Sequence, residues 1–128
     1  MNESLTLWLQ FAREDLRASE ILLNDGIFNL VCFHAQQCVE KSLKAIITHR
    51  MLPLPRSHNI STLLDLLPEQ WFSDLRQGIQ RLDDYYIPTR YPDALPGALP
   101  EGLPDRADAE QALGIARLVL ERVNQLVV

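Results

Sequence analysis

Apolar side chains recur at helical spacing along most of this sequence. In residues 3–24 they fall every three or four positions, and Asn24-Asp25-Gly26 closes that stretch, since Gly26 suits the left-handed turn after a helix. A second apolar stretch covers residues 27–51, and Leu52-Pro53-Leu54-Pro55 ends it because proline breaks a helix. We predict two helices paired as an antiparallel hairpin, with the second at the centre of the domain.

The middle of the chain predicts two further helices and a long loop. Ser57 or Asn59 can cap a short third helix, which Pro68 ends. A fourth helix is predicted over residues 69–87, with its apolar side chains on one side. Prolines then recur every four residues through the segment 88–104, which predicts an extended or turn-rich loop. A loop of this length indicates a functional or partner-facing segment.

The last helix begins at Asp105 or Asp108, either of which can act as its cap. Its apolar stripe consists of Ala109, Leu113, Ala116, Leu120, Val123 and Val127. No strand pattern and no repeat occur anywhere in the sequence. The expected fold is therefore all-α: one domain over residues 1–128, formed by a four- to five-helix antiparallel up-and-down bundle.

The second predicted helix carries two ribbons of different character. Small side chains that let another backbone come close form the first: Ala35, Cys38, Ser42 and Ala45. Polar side chains form the second: Gln37, Lys41, Lys44 and Thr48. Glu40 and Lys44 are also a favourable i,i+4 ion pair on the helix. We expect the first ribbon to pack on a neighbouring helix and the second to meet a ligand or a partner.

Charge is distributed unevenly in an acidic chain. The formal net charge is −5, which excludes nucleic-acid binding by bulk charge. Residues 31–60, however, hold four lysines and arginines against one glutamate, which indicates either a solvated helix face or a local phosphate site. The sequence predicts neither a membrane-spanning run nor a signal peptide, and Cys32 and Cys38 lie too far apart on one helix to bridge. These features predict a cytoplasmic protein with reduced thiols.

Candidate chemistry is sparse. His34 and Cys38 have the i,i+4 spacing of metal ligands, but two ligands do not close a site, so we predict no metal and no cofactor. The pair Asp83-Asp84 is interpreted as a solvated helix end. Arg90 stands between two prolines and could hold a phosphate bidentately. Alternatively, Arg90 forms a salt bridge with Asp93 within a turn.

Three segments together resemble the HEPN domain family, small helical domains named for nucleotide binding in higher eukaryotes and prokaryotes. The first is Ala35-Gln36-Gln37-Cys38-Val39-Glu40-Lys41-Ser42-Leu43-Lys44-Ala45, similar to the family pattern A-Q-Q-x-x-E-K-x-L-K-A. The second is Ser57-His58-Asn59-Ile60, which resembles the segment that opens the family's third helix. The third is Arg90-Tyr91-Pro92-Asp93, similar to the R-Y-P-D after the fourth helix.

The resemblance implies a helical bundle that forms a homodimer and acts with a minimal nucleotidyltransferase, often as a toxin–antitoxin pair. It also implies nucleotide or RNA binding, and the residues we assign to a nucleotide or phosphate are Lys41, Lys44, Arg90, Tyr91 and Asp93. The polar residues of the matching motifs are Gln37, Glu40 and His58. Many HEPN domains are metal-independent ribonucleases that use an arginine followed a few residues later by a histidine.

This chain departs from that nuclease pattern, because no histidine follows His58. General acid–base cleavage of RNA needs a group that titrates near neutral pH beside the phosphate. Asp93 is a poor substitute for that histidine. The sequence therefore predicts a binding module without the usual catalytic histidine. The alternative is a ribonuclease with an unusual active site that uses Arg90 and either Asp93 or a histidine brought from elsewhere in the chain.

Overall fold

A computed structural model describes residues 3–56, 59–85 and 103–128. Five α-helices occur in this part of the chain: α1 (Glu3–Asn24), α2 (Phe28–His49), α3 (Ile60–Leu64), α4 (Arg76–Leu82) and α5 (Arg106–Leu126). Two short 3-10 turns lie at Glu69–Trp71 and Asp83–Tyr85, and the described residues include no strand. The predicted all-α fold is confirmed.

The central position of α2 is confirmed as well. It packs against α1, α3, α4 and α5, and most of its residues are buried. Contacts between α1 and α2 pair late residues of one helix with early residues of the other: the Ser19 hydroxyl donates to the Val31 carbonyl, whereas Trp8 contacts Lys44. The hairpin is therefore antiparallel. The four members of the small-residue ribbon on α2 are completely buried, so the predicted close packing of that face is confirmed.

Helix α5 is fixed at its start by both of the aspartates that the sequence offered as alternative caps. The Asp108 N–H donates to the Asp105 carboxylate at 2.9 Å, and the Asp105 N–H donates to the Asp108 carboxylate at 3.0 Å. This reciprocal capping box satisfies two backbone donors that the helix itself leaves unpaired. The predicted apolar stripe of α5, from Ala109 to Val127, is buried throughout.

The fourth helix is shorter than predicted, because the stretch 69–85 consists of two 3-10 turns around α4 rather than one continuous helix. The cause lies on α5. The Arg122 guanidinium donates to the Trp71 carbonyl at 3.0 Å and to both carboxylate oxygens of Asp74, at 2.6 and 3.0 Å. The Leu75 N–H donates to the Phe72 carbonyl at 3.0 Å, so the Trp71 carbonyl accepts from Arg122 and not from Leu75, as it would in a continuous helix. The predicted single helix was therefore wrong.

None of the helices formed by the described residues is both long and apolar enough to cross a bilayer. The prediction for the proline-rich loop 88–104 lies mostly outside the described residues, as do Ser57 and His58. Asn59 does cap α3, since its side chain accepts a hydrogen bond from the Thr62 N–H at 3.2 Å.

Candidate functional site

The α1–α2 hairpin brings together three ionisable side chains that lie far apart in the sequence. The Asp15 carboxylate contacts the His34 Nδ1 at 2.8 Å through one oxygen and the Lys41 Nζ at 2.5 Å through the other. The Asp15 side chain is only 11 % exposed, whereas His34 and Lys41 are 30 % and 24 % exposed. The Asp15 carboxylate is thus nearly buried, whereas the imidazole and the ammonium that contact it are partly exposed to solvent. We call this group the Asp15 cluster.

Helix geometry explains why these residues meet. His34 and Lys41 are seven positions apart on α2, which places them on one face two turns apart. Asp15 lies on the buried face of α1 with Leu5, Leu9, Ala12 and Ser19. Burying a carboxylate is costly unless it is paired and hydrogen-bonded. The lysine supplies the charge and the imidazole supplies a second hydrogen bond, so both oxygens of Asp15 are satisfied.

The Asp15 cluster orients the imidazole ring of His34. With the proton on Nδ1, the ring donates to Asp15, and Nε2 keeps a lone pair that can accept a proton. A carboxylate that fixes the tautomer and direction of a histidine is the arrangement that general bases use in hydrolytic sites. The Phe33 ring meets the His34 ring edge-on, with 5.4 Å between their centroids. The cluster can therefore bind an anionic or hydroxyl-bearing ligand and exchange a proton with it.

Lys44 points inward, and this changes the interpretation of the polar ribbon on α2. Its Nζ lies 3.6 Å from the Glu40 carboxylate and 5.3 Å from the centre of the Trp8 ring. The Lys44 and Glu40 side chains are only 10 % and 4 % exposed. The alternative of a solvated helix face is therefore wrong for Lys44. Gln37 is partly buried as well, and its amide donates to the side chain of the fully buried Gln36 at 2.7 Å.

The predicted phosphate-binding segment lies outside the described residues, with Arg90, Tyr91 and Asp93. His58 lies outside them too. Of the residues that the sequence assigned to nucleotide or phosphate binding, the structure therefore places only Lys41 and Lys44. Of these two, Lys41 is in the Asp15 cluster and Lys44 is in the interior.

In the acidic pair Asp83-Asp84, which precedes that segment, Asp83 has a structural role. The Asp83 carboxylate accepts hydrogen bonds from the backbone N–H groups of Ile60 and Ser61, at 2.7 and 3.2 Å, and from the Ser61 hydroxyl at 3.1 Å. Asp83 thereby satisfies free donors at the start of α3. Asp84, its neighbour, is exposed.

A cleft of about 830 Å³ opens between α4 and α5. Its walls are mainly apolar, and Arg81 and Asp108 form an ion pair of 3.3 Å at its edge. Tyr85 also lines the cleft but is almost fully buried, and this burial raises the pKa of its hydroxyl to about 12. At neutral pH the cleft therefore offers an uncharged phenol and apolar walls, in contrast to the charged Asp15 cluster.

Comparison with known families decides what this bundle is. The HEPN domain model matches residues 5–126, nearly the whole chain. The chain belongs to the HEPN family. The resemblance inferred from its three motifs is therefore confirmed.

Individual HEPN relatives support the same assignment. A crystal structure of an archaeal HEPN homologue has a TM-score of 0.79 and 30 % identity, and covers all of both chains. A crystal structure of a Thermus thermophilus protein also has a TM-score of 0.79, with 38 % identity over 98 % of each chain. A Methanocaldococcus jannaschii protein named "Putative toxin" is 29 % identical over 92 % of this chain and 84 % of its own length.

Sequence reasoning missed Asp15 and His34 as a pair. Asp15 sits on the buried stripe of α1, three positions after Ala12 and four before Ser19. A carboxylate at a core position needs a partner, and that is the signal the sequence offered. In the sequence, His34 stands out only by its i,i+4 spacing to Cys38 on the same helix. Among the described residues, no group of three histidine, cysteine or acidic side chains is arranged to hold a metal.

Proposed function

We propose that this HEPN chain is a nucleotide- or phosphate-binding module that acts in the cytoplasm with a minimal nucleotidyltransferase, as one component of a toxin–antitoxin pair. The similarity to the toxin-named archaeal protein covers most of both chains and supports the toxin–antitoxin part of the proposal. The motif resemblance to HEPN domains supports the nucleotide and the nucleotidyltransferase partner. We further propose that the module is a homodimer, as the motif resemblance implies.

The Asp15 cluster is the described part of the proposed binding face. Lys41 keeps 24 % of its side chain exposed, so its ammonium can donate to a phosphate without leaving Asp15. The neighbouring His34 imidazole offers a second group toward the same ligand. We propose that Arg90, Tyr91 and Asp93 take part in binding the same ligand. Lys44 stays in the proposal only as the internal cation that holds Glu40.

Loss of Arg90 is expected to weaken nucleotide binding at least tenfold, because a charge-assisted hydrogen bond to phosphate is worth about 1.5–3 kcal/mol. The test has two parts: co-purification of the chain with the product of the adjacent gene, and calorimetric titration with nucleoside mono-, di- and triphosphates. Arg90→Ala and Lys41→Gln should both weaken binding. Arg17→Ala, at a side chain 72 % exposed on α1, is the matched control and should bind like the original.

Two results would contradict the proposal. One is the absence of both a complex with the neighbouring protein and nucleotide binding at millimolar concentration. The other is a loss of binding in Arg17→Ala equal to that in Arg90→Ala, which would indicate a nonspecific response to net charge. Thermal unfolding of each variant should accompany the titration, because Lys41 also balances the charge of Asp15.

A second candidate function is RNA cleavage, and the orientation of His34 by Asp15 favours it. His34 Nε2 can accept the proton of a ribose 2′-hydroxyl while the 2′-oxygen attacks the adjacent phosphorus and the bond to the 5′-oxygen breaks. The leaving 5′-oxygen takes a proton from water or from the Lys41 ammonium. The products are a 2′,3′-cyclic phosphate and a 5′-hydroxyl. This step needs no metal. In it, His34 supplies the acid–base group that the R-Y-P-D segment lacks.

If the chain cleaves RNA, His34→Gln should lower the rate at least a hundredfold, since a positioned acid–base group contributes roughly 10²–10⁴-fold. Asp15→Asn should lower it too, because the histidine loses its orientation. His49→Gln is the matched control: it is also on α2, but exposed at the end of the helix. Cleavage that is equal in His34→Gln and His49→Gln would rule out this site, and Arg90→Ala would show whether the phosphate clamp is needed.

A further inference from the structure

A buried glutamine on α2 has a polar atom without a partner. The Gln36 side chain is completely buried, and none of the described residues forms a hydrogen bond with its Nε2. Leaving a buried donor unpaired costs free energy, and native proteins satisfy nearly all such groups. An apolar side chain of similar size at position 36 would avoid this cost. The amide of Gln36 therefore indicates a role other than stabilising the fold.

The hydrogen bond that the Gln36 amide does form leads to the next residue of the chain. Its Oε1 accepts from Gln37 Nε2 at 2.7 Å. Adjacent side chains leave a helix in directions about 100° apart and do not normally face each other. Both amides must therefore turn toward one another. The bond anchors the amide of Gln37, a partly buried residue, to a side chain in the interior.

Gln37 lies beside the two partly exposed members of the Asp15 cluster. It is three positions after His34 and four before Lys41 on α2. Residues with these spacings are neighbours on one face of a helix. Gln37 therefore adds an anchored amide to the face on which the imidazole and the ammonium are partly exposed.

An anchored amide offers a hydrogen-bonding pattern that the charged groups lack. A glutamine amide has one acceptor oxygen and two N–H donors. One N–H of Gln37 is used by Gln36, and no described residue bonds to its Oε1 or to the second N–H. A hydroxyl both donates and accepts, so it can pair with either of these groups. A phosphate offers acceptor oxygens and negative charge, and it therefore pairs better with the Lys41 ammonium.

We propose that Gln37 is a specificity-determining residue that binds the sugar hydroxyl next to a phosphate held by Lys41. The site then selects ribonucleotides over 2′-deoxyribonucleotides, and Gln36 is the positioning residue that holds Gln37 in place. This inference rests on the proposed function, because it specifies the sugar of the nucleotide bound at the Asp15 cluster. The 2′-hydroxyl is the group by which a protein distinguishes RNA from DNA. A site that pairs with a hydroxyl rejects the analogue lacking it, because its own polar groups are left unpaired.

Calorimetric titration with matched nucleotides tests the role of Gln37. The probes are uridine and adenosine 3′-monophosphate and their 2′-deoxy forms, because the 2′-hydroxyl and the phosphate are neighbours on these sugars. The original chain should bind the ribose forms about fivefold more tightly, the usual effect of one neutral hydrogen bond. Gln37→Met keeps the length of the side chain and removes the amide. The ratio of affinities should then fall to about one, while binding of the deoxy forms stays unchanged.

Gln36→Met tests the positioning role with two measurements that should respond differently. Removing the unpaired buried donor should leave the thermal midpoint equal or raise it. The preference for ribose should nevertheless fall, because Gln37 loses its anchor. Gln10→Met is the matched control: Gln10 is an exposed glutamine on α1 whose amide donates to Glu14 at 3.1 Å. It should keep both the midpoint and the preference of the original chain.

The outcomes separate this inference from the proposed function. If the original chain binds no nucleotide, both fail. If it binds the ribose and deoxyribose forms equally, the assignment of Gln37 is overturned and the proposed function stands. A preference that survives in Gln37→Met, or that is lost equally in Gln10→Met, also overturns the assignment. A preference that survives in Gln36→Met, or a lower midpoint in that variant, overturns the positioning role of Gln36, and Gln37→Met then decides the assignment alone.

Discussion

Lys44→Met is expected to destabilise the folded chain by about 3 kcal/mol, because the nearly buried Glu40 carboxylate loses an ammonium that offsets the cost of burying its charge. The Lys44 and Glu40 side chains are only 10 % and 4 % exposed, and their charged groups lie 3.6 Å apart. Methionine has a similar length and no charge, so the loss reports the ammonium rather than the volume. Urea unfolding at neutral pH measures it.

The size of this loss of stability indicates whether the Lys44 ammonium is needed inside the fold or can bind a ligand. A domain of this size has a stability of about 5–15 kcal/mol, so losing roughly 3 kcal/mol is readily measured. The double variant Glu40→Leu with Lys44→Met should recover part of the loss, since it removes the buried carboxylate together with the ammonium. Arg17→Met, in an exposed pair with Glu20, should cost less than about 1 kcal/mol. Similar losses for Lys44→Met and Arg17→Met would contradict the burial of Lys44.

The helices of the hairpin and of α5 could be predicted because their information is local. The apolar period, the glycine at the end of α1 and the aspartates at the start of α5 lie within a few residues of the structure that they specify. The buried small-residue ribbon of α2 follows from the same period. The three motifs could also be found in order along the chain, and the family to which they pointed is confirmed by the family match.

What the sequence did not predict depends on contacts between distant residues. The break between residues 71 and 76 is caused by Arg122, which is about 50 positions away in the chain. The burial of Lys44 needs Trp8 on the opposite helix. The Asp15 cluster likewise depends on the register between α1 and α2, which no local period encodes. Helical periodicity shows which face of each helix is buried. It does not show which side chains of two packed helices contact each other.

The residues of the candidate site also differ in whether local sequence could identify them. Lys41 was predicted from its motif, and the structure adds Asp15 and His34 to it. The assignments of Arg90, Tyr91 and Asp93 stay predictions, since these residues lie outside the described part of the chain. The missing histidine after Arg90 argued for a binding module. His34, already oriented by Asp15, is the residue that makes RNA cleavage testable at the Asp15 cluster.

Alkaline pH is expected to destabilise the fold through the buried thiols. Burial raises the pKa of Cys38 from 9.0 to about 12 and that of Cys32 from 9.0 to about 11. The folded chain keeps both thiols neutral, while the unfolded chain releases their protons above pH 9. Stability from these groups is therefore complete below pH 9 and is lost as the pH rises toward 12. At about 1.4 kcal/mol per unit of pKa difference, Cys38 alone removes roughly 4 kcal/mol by pH 12.

Cys38→Ala isolates this contribution, because tyrosines and lysines titrate in the same range in both proteins. Its stability at pH 8 should be lower, owing to the cavity in the small-residue ribbon, but its decline between pH 9 and 12 should be shallower. Urea unfolding at half-unit pH intervals gives the two slopes. Parallel slopes would mean that the Cys38 thiolate is tolerated inside the bundle. A shallower slope would instead establish that the interior of the bundle around Cys38 excludes the thiolate charge.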